Sequence, residues 1–304
     1  MASDSPPRVL FITSSRTSYL EDILHEGLDE FLGSENVLCY PYKDYEDFQY
    51  NLHPPREDSP PHRLPTGFLR LLAQKDRIAA VVVGSVQPES VATWRGIQDE
   101  FPDRPVGVIN DGDGEWPGEL RYTHRFKKNL LPGEESADLF PLCTAAPPRV
   151  MLAMEETRDI QVSLVARPTH ELRRQCAEVL ADRGFLALYG VDLPREQFCS
   201  ILNRSKIAVS VRGRAWDTFR YWEIPFHGAL LLSQRLPILI PDDFIDGESA
   251  VFFDTPREMM DRITDLLAEA HGRGAGQVRP QEHGFGRPAG RLSPPLGALS
   301  KNAE

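Results

Sequence analysis

What most limits the fold of this chain is an alternation that runs along it twice. Short continuous runs of apolar, largely β-branched residues are separated by stretches whose apolar positions recur at helical spacing. Val9-Leu-Phe-Ile-Thr13 is the first run, the polar turn Ser14–Ser18 follows, and Leu20, Ile23, Leu24, Leu28 and Phe31 then repeat as one face of a helix. Val37–Tyr40 and Ile78–Val83 are further strands, Pro88–Phe101 is a helix with proline near its first turn, and Pro105–Ile109 is a strand ending in Asn110-Asp-Gly-Asp-Gly114. Phe68–Leu72 reads as helical, and residues 51–65, with prolines at 54, 55, 60, 61 and 65 and no periodicity, read as a loop. Strands that are apolar throughout rather than alternating are buried on both faces, so the pattern predicts parallel sheets covered by helices.

The second half repeats the scheme. Ile160–Val165, Phe185–Tyr189, Ile207–Val211, Ala229–Leu232 and Val251–Phe253 read as strands. Between them lie three helices: one capped by Thr169, with Leu172, Cys176, Val179 and Leu180 inward and Glu171 and Arg173 on its wet side; one over Pro194–Asn203; and one over Thr218–His227 closed by Gly228. Thr255, Pro256 and Glu258 form a capping box opening a last helix that runs to Ala270. The fold class expected is α/β, with two Rossmann-like parallel-sheet domains over residues 1–145 and 155–271, linked through the proline-rich Pro141–Pro148. From Gly272 to Glu304, 7 glycines and 4 prolines in 33 residues leave too little apolar surface to offset chain entropy, so a disordered tail is expected at 272–304.

Charge and cysteine content narrow the classes of function. The 304 residues carry a formal net charge of −11, which argues against an electrostatic nucleic-acid binder. No apolar run approaches the roughly 18–20 residues that span a bilayer, and Met1-Ala-Ser-Asp-Ser-Pro-Pro has neither the apolar core nor the basic flank of a secretory leader. Cys39, Cys143, Cys176 and Cys199 are widely spaced without a C-x-x-C, so a disulfide framework or a zinc site is not expected and a reducing cytoplasm is. Cys39, Cys176 and Cys199 read as core packing.

The densest polar cluster is Ser205-Lys206, Arg212-Gly213-Arg-Ala-Trp-Asp217, Arg220-x-x-Glu223 and Gly228. In a parallel α/β sheet, ligands bind outside the carboxyl ends of the strands, and the loop after Val211 lies at such an end. A planar arginine fork suits phosphate, a carboxylate suits paired ribose hydroxyls, and glycine permits close backbone approach. The cluster therefore reads as a nucleotide-diphosphate site. The same i, i+3, i+6 spacing of Asp217, Arg220 and Glu223 also makes an exposed helix salt-bridge run. Trp216 can stack on a base or sugar, or be buried against Phe219.

Ser205-Lys-Ile-Ala-Val-Ser-Val-Arg-Gly, Asp217-x-x-Arg220-x-x-Glu223, Gly228-Ala-Leu-Leu-Leu-Ser, Pro241-Asp-Asp-Phe and Phe253-Asp-Thr-Pro-x-Glu258 together resemble the donor-binding half of GT-B glycosyltransferases, most closely the family 1 group that includes CgeB-like enzymes and more distantly exostosin-type domains. The resemblance covers about residues 160–270; the first half shares only architecture. It implies two domains facing a cleft and a metal-independent transfer of sugar from a nucleotide-sugar donor, with no other cofactor. Glu223 would hold the donor ribose, and Arg212 and Lys206 the diphosphate. The family's usual second glutamate, eight residues on, is Leu231 here. GT-B enzymes usually close with a helix crossing back onto the first domain, where this chain has its Gly/Pro-rich segment.

The first domain is expected to supply the side for an acceptor, whether protein, glycan or small molecule. Ser14, Ser15, Arg16 and Tyr19 lie on the first strand-to-helix turn. Asp111 or Asp113 can serve as general base toward an acceptor hydroxyl, while Asn, Asp and Gly also simply make turns. An Asp-rich loop also suits Mg²⁺, although no further carboxylate cluster accompanies it. His124-Arg-Phe-Lys127-Lys128 is a basic patch, either a solvated edge or an acceptor contact, and His227 reads as structural. Two other classes fit less of the sequence: a non-catalytic nucleotide-sugar-binding or assembly protein of the same fold, and a receiver-like regulator, which would need acids where Ser14 and Ser15 stand.

Overall fold

The computed structural model describes residues 7–14, 19–41, 67, 71–112, 116–118, 120–146 and 157–272. They form two parallel β-sheets with flanking helices. The first sheet holds β1 (Arg8–Ile12), β2 (Val37–Tyr40), β3 (Ile78–Val83), β4 (Val106–Asn110), β5 (His124–Lys128) and β6 (Leu139–Leu142), in the order β2-β1-β3-β4-β5-β6. Every pairing in it is parallel. Helix α1 (Tyr19–Leu32) returns the chain from β1 to β2, and α2 (Pro88–Ile97) leads from β3 toward β4. The first core is built from β1, β3 and β4 against α2, with Leu10, Ile12, Val81, Val83, Trp94 and Val108 at its centre.

The second sheet holds β7 (Ile160–Ala166), β8 (Leu186–Tyr189), β9 (Ser205–Ser210), β10 (Leu230–Gln234) and β11 (Val251–Phe253), in the order β11-β10-β9-β7-β8. All pairs are again parallel. Helices α3 (Glu171–Asp182) and α6 (Pro256–Gly272) pack on one face, with Cys176, Leu180, Met259 and Ile263 in the core. Helices α4 (Arg195–Arg204) and α5 (Phe219–Phe226) cover the other, with Phe198, Leu202, Tyr221 and Ile224. The sheet thus has the two covered faces that its unbroken apolar strands require.

Several expectations needed revision. His124–Lys128, read as a loose basic patch, is strand β5. Its charges are neutralised by the loop before β6: Arg125 Nε lies 2.9 Å from Asp138 and Lys127 Nζ 2.9 Å from Glu134. Pro141, placed at the start of the linker, is inside β6, an edge strand, where a missing amide donor is tolerated. The cap of α3 is His170 rather than Thr169: His170 Nδ1 accepts the amide of Leu172 at 3.1 Å. The capping box of α6 holds, with Glu258 N donating to Thr255 Oγ1 at 3.2 Å and the Glu258 carboxylate reaching back to the amide of Asp254 at 2.9 Å. The expected tail at 272–304 lies outside the described residues apart from Gly272, the last residue of α6, as do the prolines of 51–65 and Pro147 and Pro148 of the expected linker. Among the described residues no helix is long and apolar enough to cross a membrane.

The two sheets touch through their carboxyl edges. Residues following β5 and β6 meet the loop after β9 and the segment after β10: Asp217 N donates to Asn129 Oδ1 at 3.0 Å, and Leu239 N to Leu130 O at 2.8 Å. Asn129 adopts a left-handed φ of 59°, which asparagine tolerates better than most residues.

Candidate functional site

The carboxyl ends of β7, β9 and β10 form one edge of the second sheet. Arg173, on α3, organises it. Sequence reading put this residue on the wet side of the helix; the structure buries it. Its Nε donates to Arg212 O at 2.8 Å and Val211 O at 3.1 Å, Nη2 to Val211 O at 3.0 Å, and Nη1 to Thr169 Oγ1 at 2.9 Å and Arg167 O at 3.3 Å. One guanidinium therefore ties the loop after β7 to the loop after β9. Burial, with the charge of Arg220 adding to it, pushes the Arg173 guanidinium down to about 10. Gly213 is where the second loop passes closest: a Cβ there would stand 3.1 Å from Arg173 Nη2 and 3.3 Å from Thr169 Oγ1. The amide of Arg212 donates to Gln234 Oε1 from β10 at 3.2 Å, completing the edge.

Helix α5 starts just beyond that loop and sets Arg220 in its first turn and Glu223 three residues later. Arg220 lies over the Phe198 ring at 5.4 Å, and its Nε is buried without a hydrogen-bond partner. Burial drives its ionisation down; Glu223 opposes this, and the charges of Arg167 and Arg195 add to it. Glu223 is buried, and its Oε1 accepts Nη1 of Arg195 at 2.7 Å. Arg212 lays its guanidinium on the Trp216 ring at 3.6 Å. The edge therefore carries Arg167, Arg173, Arg195, Arg212 and Arg220, with Arg195 paired to Glu223 at 2.7 Å and Arg167 to Asp192 at 2.9 Å. The excess of positive charge that is left suits a polyanion bound beside a neutral polar group.

Not every residue of the sequence-predicted cluster belongs here. Lys206 is exposed at the second position of β9, at the opposite end of the strand from Arg212. At about 3.3 Å per residue the two stand roughly 20 Å apart, too far to share one diphosphate. Gly228 also lies at the far end of α5. It has φ +69° where the helix stops, and a Cβ would meet Arg158 Nη2 at 2.7 Å; Arg158 in turn donates to Ser205 O at 2.6 Å and His227 O at 2.8 Å. Its requirement for glycine is structural. Asp217 is buried and occupied: it accepts the amide of Thr144 at 2.5 Å, the Thr144 hydroxyl at 2.7 Å and Trp222 Nε1 at 3.2 Å. It joins the sheets rather than facing the edge. Trp216 is half-buried, with the Arg212 guanidinium against its ring. His227 is structural as read, its ring held by Asn203 at 3.2 Å. Arg167, Arg173 and Arg195 were missed, because isolated charges next to apolar helix positions are read as solvated by default.

On the first sheet, β1, β3 and β4 are neighbours, so Ser14 and Asp111 share its carboxyl edge. Ser14 is buried, with its amide donating to Glu21 Oε1 at 2.8 Å and its hydroxyl to Oε2 at 3.1 Å. That pairing makes it part of the seat of α1 rather than an open acceptor contact. Asp111 is half-buried beside Asn110, whose Oδ1 accepts the amide of Gly112 at 3.1 Å, a turn of the Asx kind. Tyr19 opens α1. Ser15, Arg16 and Asp113 lie outside the described residues. Among the described residues there is no group of three or more His, Cys, Asp or Glu that could hold a metal ion.

No family model and no curated protein matches the chain. Among solved structures, the crystal structure of the GtfA/B complex is similar to it, with 10% identity and a TM-score of 0.37 over 70% of this chain and 54% of that one. The chain thus spans about half the length of that chain.

Proposed function

We propose that the protein is a glycosyltransferase of GT-B type, transferring a sugar from a nucleotide-sugar donor to an acceptor hydroxyl. The second unit, over 155–271, is the donor side and the first, over 1–145, the acceptor side. The observation that carries the reading is Arg220: a guanidinium sunk into the carboxyl edge of a parallel sheet, its Nε unpaired, with Arg167 and Arg195 adding positive charge around it. A buried donor without an acceptor is costly, and a ligand oxygen that fills it binds with the advantage of a site already desolvated. Arg220 and Arg212 contact the diphosphate and stabilise the charge that develops on it as the glycosidic bond breaks, so that side chains take the role a metal ion plays elsewhere. Glu223, oriented by Arg195 through Oε1, offers Oε2 to the ribose hydroxyls. The contact between the carboxyl edges of the two sheets supports a reading in which donor and acceptor bind on facing surfaces. Asp111 follows β4 on the acceptor edge and, with Asp113 two positions on in the sequence, is a candidate for general base.

Titration calorimetry of UDP-, GDP- and dTDP-sugars against the wild type and Glu223→Ala tests this. Donor binding that Glu223→Ala weakens at least tenfold is expected; no binding by the wild type, or equal binding by the variant, would overturn it. Transfer or hydrolysis of the bound donor then separates an enzyme from a nucleotide-sugar binder of the same fold.

A further inference from the structure

The first sheet carries a second cluster of reactive side chains, remote in sequence from the arginine edge. Cys39 is the third residue of β2, an edge strand, in register with Phe11 of β1. Its sulfur lies 2.8 Å from Nε2 of His25 on α1. The other ring nitrogen, Nδ1, lies 3.7 Å from Oδ2 of Asp29, one helical turn further on. Phe11 packs edge-on against the imidazole, with ring centroids 5.5 Å apart at 77°. His25 and Asp29 are both nearly buried, whereas Cys39 is half-buried. Sequence reading gave Cys39 a core-packing role like that of Cys176 and Cys199. Those two are fully buried, with Cys176 pushed up to about 12 by burial. Cys143 is likewise pushed up to about 12, by burial and then by Asp217 and Asp243.

A thiol placed only for packing has no use for an imidazole on its sulfur, nor that imidazole for a carboxylate behind it. Nucleophile, base and orienting acid in a row are the arrangement that converts a weak thiol into a thiolate. The carboxylate 3.7 Å from Nδ1 favours the proton on that nitrogen, the tautomer in which Nε2 can take the thiol proton. The other acids buried on α1 are Asp22, Glu26 and Glu21, whose carboxylate accepts from Ser14, and β1 contributes the Phe11 ring.

We propose that Cys39 is a reactive thiol and a modification site for low-molecular-weight disulfides, with His25 as its base and Asp29 as a positioning residue. Nε2 of His25 takes the proton from Sγ. The thiolate attacks one sulfur of the incoming disulfide, that S–S bond breaks, and a mixed disulfide with Cys39 forms. The departing thiolate recovers the proton from His25, so one disulfide is exchanged for another and no outside oxidant is needed. This inference is independent of the glycosyltransferase reading, since no residue is shared between the two.

The test is thiol labelling of the intact protein, read by mass spectrometry. Iodoacetamide on native protein is expected to label Cys39 ahead of the other three thiols, with an apparent pKa below the ordinary thiol value of about 8.5. His25→Asn should slow labelling about tenfold at pH 7 and move the profile up toward that value, and Asp29→Asn should do so less. Oxidised glutathione should add one glutathione, at Cys39, removed by dithiothreitol and absent in Cys39→Ser. Labelling of Cys39 no faster than of Cys143, or a wild-type profile centred at or above about 8.5, would overturn the proposal, and both readouts use the wild type alone.

Discussion

The carboxylate of Asp217, in the loop between β9 and α5, accepts both the amide and the hydroxyl of Thr144, which follows the last strand of the other sheet. A residue 73 positions away in sequence is thereby held by a buried charge-assisted pair of hydrogen bonds, and the same Asp217 presents its amide to Asn129. Asp217→Asn puts an amide NH₂ where an acceptor is needed and removes the charge. It should cost about 2–4 kcal/mol, seen as a lower midpoint in urea unfolding, because buried donors on Thr144 and Trp222 are left short of an acceptor. The nucleotide affinity of the protein that remains folded should change little, which separates this residue from the proposed donor site.

Arg220→Met should act the other way round. Removing a buried guanidinium whose Nε is unpaired leaves stability unchanged or raised, since apolar atoms of similar shape replace a desolvated charge among other arginines. Affinity for a nucleoside diphosphate should fall at least tenfold. Lys206→Ala, at the amino end of β9, should leave that affinity within a factor of about two, measured in the same calorimeter.

Two glycines of the same motif should separate by cost. Gly228→Ala forces a left-handed φ on alanine and drives its Cβ into Arg158, so a loss of about 2 kcal/mol or more is expected in thermal unfolding. Gly213→Ala meets only the tip of Arg173 and Thr169 Oγ1, at distances where a small shift suffices, and should cost about 1 kcal/mol or less. Its larger effect should be on ligand binding, through the loop that Arg173 holds.

Acid should weaken the fold through His227. Burial, then the charges of Arg195 and Arg158, hold its ionisation down to about 4 from an ordinary 6.5. The native state keeps the ring neutral while the unfolded chain protonates it, so stability is full above about 6.5, falls as pH drops from there to about 4, and levels off below. The slope in that window is on the order of 1 kcal/mol per pH unit. His227→Gln should flatten this part of the curve; an unchanged slope between pH 6.5 and 5 would remove His227 as its source.

The strands of both sheets were legible because burial on both faces leaves unbroken apolar runs such as Ile78–Val83 and Ile207–Val211. β5 and β6 were not, because their charges and Pro141 are compatible with a sheet margin only once Asp138 and Glu134 are seen to face them. At the candidate site, Arg212, Gly213, Arg220 and Glu223 lie on one loop and the helix after it, a neighbourhood their sequence spacing already indicated. The sequence could not separate the two ends of β9, so Lys206 and Gly228 travelled with the motif although a strand's length divides them from it. Nor could it find Arg173, whose partners are carbonyl oxygens: backbone acceptors leave no mark in a sequence. Asp217 was visible as a charge at a helix start, but its partner lies across the boundary between the sheets.

The loop from Arg212 to Asp217 is pinned at one end to Arg173 of the second unit and at the other to Thr144 of the first. Trp216 lies inside that span with a guanidinium against its ring. Its indole is therefore a built-in optical gauge: a ligand that recruits Arg212, or a shift of one sheet against the other, must change the electrostatic environment of that ring and with it the colour and yield of its fluorescence.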